Sequence, residues 1–178
     1  MALELDALKA SGIVQTKRLA QLGVLSVINK PGLAGTVLGV LARQDINVHF
    51  VVETIDHDKR SHFVLCVDET NLEAALLAIT SIQDRLEGEK IIHRRQVALV
   101  SVFGPHFRDV PGAACLTCAS ISAAGAEILA ISTSFSSVTC LIEEEARERV
   151  IKSLREVFNL PESAVTTAVD GLSKRGKS

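Results

Sequence analysis

Aromatic residues are scarce in this chain, and two of the three kinds are missing. Its 178 residues include no tryptophan and no tyrosine, and only six phenylalanines. RNA-binding domains stack bases on aromatic side chains, and nucleic acids in general attract a strongly basic surface. Because the chain has few aromatic rings and a net charge of −2, its composition argues against nucleic acid as a partner.

Long apolar runs and a secretion signal are also missing. No segment approaches the roughly 20 consecutive apolar residues that a membrane-spanning helix needs, so we expect no membrane partner. Residues 1–6 lack the basic start and apolar run that are typical of a signal peptide. Four cysteines without such a signal indicate reduced thiols in a cytoplasmic protein. All four lie among apolar residues, which predicts that they are buried.

The main organising feature is an internal repeat. Ser26-Val27 recurs as Ser101-Val102, and Pro31-Gly32 recurs as Pro111-Gly112, roughly 75 to 80 residues later. Two copies with this period indicate tandem domains, because a solenoid needs at least three shorter repeats. Each copy is close to the smallest size that buries an adequate core, so we expect the copies, or two chains in a homodimer, to pair.

Both copies show the same order of secondary-structure patterns. In the first copy, strand-like segments alternate with two segments whose apolar residues have helical spacing. The predicted elements are strands at residues 22–28, 46–52, 61–67 and 89–95, and helices near residues 33–41 and 72–82. The second copy repeats this order through a helix near residues 145–158. The predicted fold class is therefore α+β, with two tandem βαββαβ ferredoxin-like domains and antiparallel sheets.

The second copy lacks a last strand of its own, because Pro161 and a polar tail follow its second helix. Residues 12–17, in contrast, have a strand pattern but no place in the first copy. We predict that this N-terminal strand completes the second domain, and residues 164–169 are the local alternative. The predicted boundaries are residues 20–95 for domain 1, residues 96–160 with strand 12–18 for domain 2, and residues 161–178 for a tail.

Several short motifs occur in the order and approximate spacing of a known family. They are Gly12-Ile-Val-Gln-Thr-Lys17, Val27-Ile-Asn-Lys-Pro-Gly32, Asp45-Ile-Asn-Val48, Ser101-Val-Phe-Gly104, Pro111-Gly112 and Ile131-Ser-Thr-Ser134. Over residues 12–160 the chain resembles the regulatory region of aspartate kinases, which consists of two ACT domains. A free regulatory (beta) subunit of aspartate kinase has this extent in some bacteria. The resemblance implies a regulatory chain without a kinase domain, and thus without catalytic residues, cofactor or metal.

The resemblance also implies where a ligand binds. In ACT proteins a small amino acid binds where two domains meet, with its carboxylate at the loop before the first helix of a domain. A helix N-terminus offers free N–H groups there, and glycine permits close approach. The first implied site comprises Asn29, Lys30, Pro31, Gly32, Leu33, Ala34, Asn47, Val48, Ser132, Thr133, Ser134 and Phe135. The second comprises Arg108, Asp109, Val110, Pro111, Gly112, Ala113, Val52, Glu53 and Thr54.

Four residues, at three places in the chain, depart from the pattern of the family. Aspartate kinases commonly have an acidic residue in place of Asn29, Glu in place of Phe135, and Gln-Asn in place of Glu53-Thr54. The carboxylates missing at Asn29 and Phe135 would suit the ammonium group of lysine. We therefore expect a neutral or apolar amino acid rather than lysine, and a site that has lost binding remains an alternative.

Cys115-x-x-Cys118 is the strongest competing motif. It follows the first strand of a βαββαβ unit, where a metal or redox motif could lie. However, Cys115 lies within the predicted helix, and no histidine or third cysteine has zinc-finger spacing. We therefore interpret both cysteines as buried thiols, with a metal or redox role as the alternative.

No arrangement of residues supports catalysis. The glycines near the first helix follow neither the phosphate-binding nor the dinucleotide-binding pattern. His57 and His62 flank a polar hairpin without an obvious partner, and no nucleophile–base pair is evident. The sequence thus favours a regulatory protein with an amino acid effector, a homodimer, and a separate kinase or other biosynthetic enzyme as partner. The alternative is a dimerisation or docking module that binds no ligand.

Overall fold

The computed structural model describes residues 8–86, 90–109 and 111–168. The chain divides into two compact units. The first unit comprises residues 18–97, and the second comprises the residues up to 17 together with those from 98 onward. Each unit has the βαββαβ order that the sequence predicts, so the predicted fold class is confirmed.

The first unit contains a sheet with the strand order β2-β3-β1-β4 and helices between the strands. Strands β1 and β2 both pair antiparallel with β3. A 3₁₀ turn at Glu69–Asn71 precedes α2. The elements are β1 (Gly12–Ile28), α1 (Leu33–Ala42), β2 (Phe50–Ile55), β3 (Arg60–Asp68), α2 (Leu72–Thr80), α3 (Gln83–Leu86) and β4 (Lys90–Phe103).

The core of the first unit forms where one face of each helix meets the sheet. Helix α1 contributes Leu33, Val37 and Leu41, which lie four residues apart and therefore share one face. Helix α2 contributes Leu72 and Ile79, which lie two turns apart on one face of that helix. These side chains pack in one cluster with sheet residues that include Leu22, Val24, Phe63 and Leu65.

The second unit has the strand order β7-β1-β4-β6-β5. Strands β5 and β6 form an antiparallel hairpin, whereas β7 runs parallel to the start of β1. Two 3₁₀ turns, at Glu144–Ala146 and Glu162–Ala164, precede α5 and β7. The elements that follow β4 are α4 (Ala113–Ala123), β5 (Ala130–Thr133), β6 (Ser137–Glu143), α5 (Arg147–Val157) and β7 (Val165–Thr167).

The N-terminal strand is part of the second unit. Ile13 is fully buried in the second core, and Leu8 belongs to the same cluster. The backbone N–H of Ser11 donates to the carbonyl of Phe103 at 2.7 Å, which connects this segment to β4. Strand β7 then pairs with Ile13 through Val165. The two segments proposed for the edge of this sheet are therefore both used, with the N-terminal strand inside and the C-terminal strand outside.

Several expected element boundaries were wrong. The strands expected separately at residues 12–17 and 22–28 form the single strand β1. The strand expected at residues 89–95 is the start of β4, which continues to Phe103, and residue 89 lies outside the described residues. Residues 162–167, expected in the tail, form a 3₁₀ turn and β7. The rest of the tail, from residue 169, lies outside the described residues.

The strand expected at residues 46–52 begins only at Phe50. Asp45 adopts a left-handed backbone conformation, and the N–H of Ile46 donates to the carbonyl of Leu41 at 3.1 Å. Ile46 is buried against the core of the first unit. This apolar residue therefore caps the end of α1 instead of joining the sheet, as apolar residues after a left-handed helix terminus often do. Among the described residues, no helix is long and apolar enough to cross a membrane.

Candidate functional site

The loop before α1 ends in Gly32, which has a left-handed backbone conformation that strongly favours glycine. Gly32 has φ 85°, and it precedes the helix without a side-chain cap. An added Cβ at Gly32 would meet no atom within 4 Å, so the backbone angle, and not crowding, calls for glycine. The carbonyl of Gly32 accepts the N–H of Thr36 at 2.9 Å. The N–H of Leu33 donates to the carbonyl of Lys30 at 3.1 Å, so the N–H groups that follow it in the first turn of α1 are the ones left without a capping side chain.

The loop before α4 repeats this arrangement in the second unit. Gly112 has φ 115° and again precedes the helix without a side-chain cap. Its carbonyl accepts the N–H of Leu116 at 2.8 Å. Neither α1 nor α4 has an acidic residue in its first turn. Both helix N-termini therefore retain the partial positive charge of the helix dipole without a carboxylate of their own.

The other two long helices begin differently. Glu73 lies in the first turn of α2, and Glu148 lies in the first turn of α5. The 3₁₀ turns before these helices add further glutamates. These acids interact favourably with the N-terminal end of the helix dipole. Of these four helices, only the two that follow a glycine loop lack an acid in the first turn. The carboxylate of a ligand could therefore occupy the N-terminus of α1 or α4.

In the first unit, a polar network connects the end of β1 to the β2–β3 hairpin. The backbone N–H of Ser26 donates to Nδ1 of His62 at 3.4 Å, and Nε2 of His62 lies 2.9 Å from Oδ2 of Asp56. The Arg60 side chain donates to the carbonyl of Ser26 at 2.8 Å. With Nδ1 as acceptor, His62 has a proton on Nε2 and donates it to Asp56. The network attaches the backbone of Ser26, three residues before Asn29, to the β2–β3 hairpin.

This network was missed in the sequence, where His62 has no obvious partner. Its partner is Asp56, six residues away across the hairpin turn. The hydrogen bond from His62, aided by the N–H of Arg60, lowers the pKa of the Asp56 carboxyl below its ordinary value. The sequence does place an aspartate and a histidine at the two ends of a short polar turn, and this pattern could have indicated a hydrogen bond between them.

In the second unit, serines and one aromatic ring occupy the corresponding hairpin. The Ser134 hydroxyl accepts the N–H groups of Ser136 and Ser137, at 3.3 and 3.1 Å. It also lies 2.8 Å from the Ser137 hydroxyl. The Ser134 side chain therefore stabilises its own turn. The Arg108 guanidinium lies over the Phe135 ring, 5.2 Å from its centre.

The structure thus brings Arg108 and Phe135 together within one unit, although the sequence assigned them to different sites. Both residues are exposed, Phe135 to 76%. An exposed ring covered by a guanidinium can present an apolar wall and a positive charge side by side. Each unit holds one half of each predicted site, and the association of the halves stays a prediction.

Most of the predicted ligand-binding residues lie at the surface of their own unit. Exposed are Asn29, Lys30, Pro31, Gly32, Asn47, Ser132, Thr133, Ser134 and Phe135 of the first site, and Glu53, Thr54, Arg108, Asp109 and Pro111 of the second. Half-buried are Ala34, Val48, Val52 and Gly112, and Leu33 and Ala113 are buried in the cores. Val110 lies outside the described residues. The side chains of Leu33 and Ala113 are therefore not available to a ligand, and the N–H of Leu33 already donates to the carbonyl of Lys30.

The expectation that all four cysteines are buried was wrong for two of them. Cys66 and Cys140 are buried, and burial raises the pKa of each thiol to about 12. Cys115 is exposed, and Cys118 is half-buried and helps to raise the pKa of the Cys140 thiol. Helix α4 faces the core with Thr117 and Ile121 instead. Within the described ranges, no group of three potential metal ligands is found.

Comparison with known families identifies both units. Residues 20–84 match the ACT domain family, and residues 92–156 match a second description of the ACT domain. Both matches lie on the βαββαβ repeats described above. The chain therefore belongs to the ACT domain family and carries two ACT domains in tandem.

Its relatives are aspartate kinases, and the similarity lies in their regulatory part. An aspartate kinase from Stutzerimonas stutzeri (strain A1501) is 28% identical over 158 residues, which cover 89% of this chain but 38% of the relative. An aspartokinase from Helicobacter pylori (strain 26695) is 27% identical over 84% of this chain and 36% of its own length. The chain thus spans less than half the length of the curated relatives it matches.

Among solved structures, the similarity extends over whole chains. A chain of the aspartokinase alpha and beta subunits has a TM-score of 0.77 and 28% identity, with 85% of this chain and 99% of that chain covered. The ligand-free regulatory subunit of aspartate kinase from Thermus thermophilus has a TM-score of 0.76 and 24% identity, with 84% and 98% covered. The fold is thus that of an aspartate kinase regulatory subunit.

Proposed function

We propose that this chain is a non-catalytic regulatory protein that binds a small amino acid at its ACT domains and transmits the bound state to a partner. The main observation is the pair of helix N-termini, α1 and α4, that follow a left-handed glycine and have neither a side-chain cap nor an acid in the first turn. Such N-termini bind carboxylates. All amino acids share this group, so the same two loops would bind the common part of the effector.

The side chains around the loops suggest which effector is preferred. Asn29 at the start of the first loop is neutral, and Phe135 is a largely exposed aromatic ring. Neither provides the negative charge that would stabilise the ammonium group of a lysine side chain. A neutral or apolar amino acid is therefore the favoured effector class.

The partner surface for the first loop is the edge strand β5 of the second domain. Ser132 and Thr133 are exposed on this strand, which lies at the end of its sheet. Because the Ser134 hydroxyl is used in its own turn, the backbone groups of the strand edge are the better candidates for binding an amino group. The second site would pair the Arg108 loop with Val52, Glu53 and Thr54 on the edge strand β2.

The mechanism is linkage between binding and domain association. A ligand that contacts a loop of one domain and a strand of another stabilises their association by its differential affinity for that arrangement. We propose a homodimer in the cytoplasm, with a separate kinase or another biosynthetic enzyme as the regulated partner. Relatives of this kind are described as aspartokinase alpha and beta subunits.

The first test is thermal unfolding of the chain with each common amino acid at millimolar concentration. Calorimetry or an extrinsic dye is needed because the chain has no tryptophan or tyrosine. A ligand at about 100 times its dissociation constant stabilises the folded state by roughly 2.7 kcal/mol. If no amino acid raises the unfolding temperature, the chain is better explained as a ligand-free docking module.

Two matched substitutions locate the site. Gly35 and Cys115 each occupy the third position of their helix, are exposed, and lie in the first turn of α1 and α4. Gly35→Glu should stabilise the free protein by about 1 kcal/mol, because glutamate is a better helix former than glycine and favours a helix N-terminus. Its carboxylate should nevertheless repel the carboxylate of the ligand.

The expected result is a protein that is more stable but no longer responds to the amino acid, which separates lost binding from lost folding. Gly35→Gln provides the uncharged control and should retain the response. Cys115→Glu and Cys115→Gln test the second loop in the same way. An undiminished response in both glutamate variants would contradict the proposal that these helix N-termini bind the carboxylate.

A further inference from the structure

A cleft that the effector loops do not use lies in the second unit, between α5 and β7. It has a volume of about 560 Å³, within the usual range for small-molecule sites. Its apolar surface comes from Ile151 and Val165, and its other lining residues are polar or charged. The cleft is thus built from one face of α5, the C-terminal edge strand, and Gln15 of β1.

Some polar groups of the cleft are already engaged. Gln15 accepts a hydrogen bond from Arg147 and donates to the Thr167 hydroxyl at 3.1 Å. Glu148 forms an ion pair with Arg147 at 2.7 Å. Arg149 donates to the carbonyl of Ala124, at the C-terminal end of α4, at 2.9 Å. These contacts hold the walls of the cleft and leave little binding capacity in those side chains.

Other polar groups of the cleft are not engaged. The Nε atom of Arg155 is buried and has no hydrogen-bond partner among the described residues. A buried donor without an acceptor is costly. A carboxylate in the cleft can relieve this cost once the Arg155 side chain turns so that Nε reaches the cleft surface, where a guanidinium binds a carboxylate through two parallel hydrogen bonds. Lys152 lies three residues before Arg155 on the same face of α5 and also lines the cleft.

The charges of the cleft narrow the class of ligand. Three cations and two carboxylates line the cleft. Two of these groups are already used elsewhere, because Arg149 donates to the carbonyl of Ala124 and Glu148 pairs with Arg147. Lys152, Arg155 and Glu162 form no ion pair within the part of the chain that the structure describes. Two available cations and one available carboxylate favour a ligand with a carboxylate and a cationic group over a phosphate or a dicarboxylate.

We propose that this cleft is a second ligand site, separate from the effector loops, for a small zwitterionic carboxylate. Arg155 and Lys152 bind the carboxylate, Glu162 binds the ammonium group, and Ile151 and Val165 contact the apolar part. Because the site lies within one unit, it requires no association of domains. The proposal does not depend on the proposed function, since it rests on different residues.

The test is NMR detection of the Arg155 Nε–Hε group in the full chain, assigned by comparison with Arg155→Lys. The probes are sodium acetate for the carboxylate alone, glycine for the zwitterion, and methylammonium chloride for the ammonium group alone, with sodium chloride as the ionic-strength control. Acetate and glycine should shift the resonance with saturation, and glycine should bind several-fold more tightly. Methylammonium and sodium chloride should cause no saturable shift.

Two isosteric variants sharpen the result. Glu162→Gln should remove the advantage of glycine over acetate, and Lys152→Met should weaken both by on the order of tenfold. Gly35→Glu and Cys115→Glu should leave the Arg155 shift unchanged, which separates this site from the loops. A resonance that does not respond to acetate or glycine, or that drifts equally with sodium chloride, would overturn the proposal. Equal affinities for glycine and acetate would overturn the zwitterion assignment.

Discussion

The two ACT domains share a backbone connection but differ in the side chains around it. In the first unit the N–H of Asn29 donates to the carbonyl of Lys59 at 3.2 Å, and in the second the N–H of Gly104 donates to the carbonyl of Ser136 at 2.9 Å. Both bonds connect the glycine loop to the neighbouring hairpin. The repeat has thus kept the geometry that places the loop.

The surrounding chemistry has diverged. The first hairpin carries Asp56 and His62 in a charged network, whereas the second carries serines and Phe135 under Arg108. Backbone hydrogen bonds and core packing constrain both copies, but exposed side chains are free to change. We therefore expect the two proposed sites to differ in the ligand that they prefer.

The largest expected effect concerns the contribution of the N-terminal strand to the core of the second unit. Ile13→Ala should cost about 2 to 5 kcal/mol, because the side chain is fully buried in that core and its removal leaves a cavity. Denaturant unfolding should show the lower free energy of unfolding. Hydrogen exchange should show faster exchange of the backbone amides of the second unit. Ile131→Ala, at a position that is 39% exposed, should have a much smaller effect. Equal effects would contradict the placement of the N-terminal strand.

A smaller effect should distinguish the two loops. Gly104 has no room for a side chain, because an added Cβ would lie 2.2 Å from Phe107 and 2.8 Å from the carbonyl oxygen of Lys9. Gly104→Ala should therefore cost about 1 to 3 kcal/mol. Position 29, the counterpart in the first unit, carries an exposed asparagine.

Asn29→Ala is the matched variant, and it should change the free energy of unfolding by less than about 0.5 kcal/mol. The measurement is urea unfolding of both variants at neutral pH. If Gly104→Ala proves as stable as the parent chain, the tight contact of this loop with the N-terminal segment is not a constraint.

The smallest effect is a pH dependence confined to the first hairpin. Because the folded-state pKa of Asp56 is lowered from 3.8, mainly by the hydrogen bond with His62, its stabilising contribution is present above that ordinary pKa. The contribution is lost as the pH falls through the lowered folded-state pKa, since the unfolded chain takes up the proton first. Urea unfolding of Asp56→Asn and the parent chain should therefore converge at acid pH.

Ser134→Ala in the second hairpin provides the comparison, because no titratable group is removed. Its free energy of unfolding should differ from that of the parent chain by the same amount at every pH. A constant difference for Asp56→Asn as well would show that the hydrogen bond with His62 does not depend on the charge of the carboxylate.

Sequence reasoning reached the fold because the repeat and the helical spacing both follow from burial. Leu33, Val37 and Leu41 have to share a helix face, and Pro31-Gly32 and Pro111-Gly112 mark the same turn twice. It failed where a local pattern had two solutions. Ile46 reads as a strand residue by type but is used to cap α1, and the cysteines of α4 have apolar neighbours but lie away from the buried face.

The site was predicted only in outline. The glycine loops follow from residue type, because a left-handed backbone and an open helix N-terminus are local properties. The contact between Arg108 and Phe135 and the bond between His62 and Asp56 required the fold. Arg108 and Phe135 are far apart in the chain, and Asp56 and His62 meet only when the hairpin closes.

By itself the sequence determined the two βαββαβ repeats, the glycine loops and the place of the N-terminal strand in the second domain, because periodicity and turn chemistry are encoded locally, whereas the ACT family was reached through the resemblance to aspartate kinases. Only the tertiary structure decided that β7 pairs outside the N-terminal strand, that Ser134 is used by its own turn, and that Arg155 has a buried donor without a partner in the described part of the chain. These features depend on which surfaces meet after folding, and packing between distant segments leaves no periodic signal in the sequence.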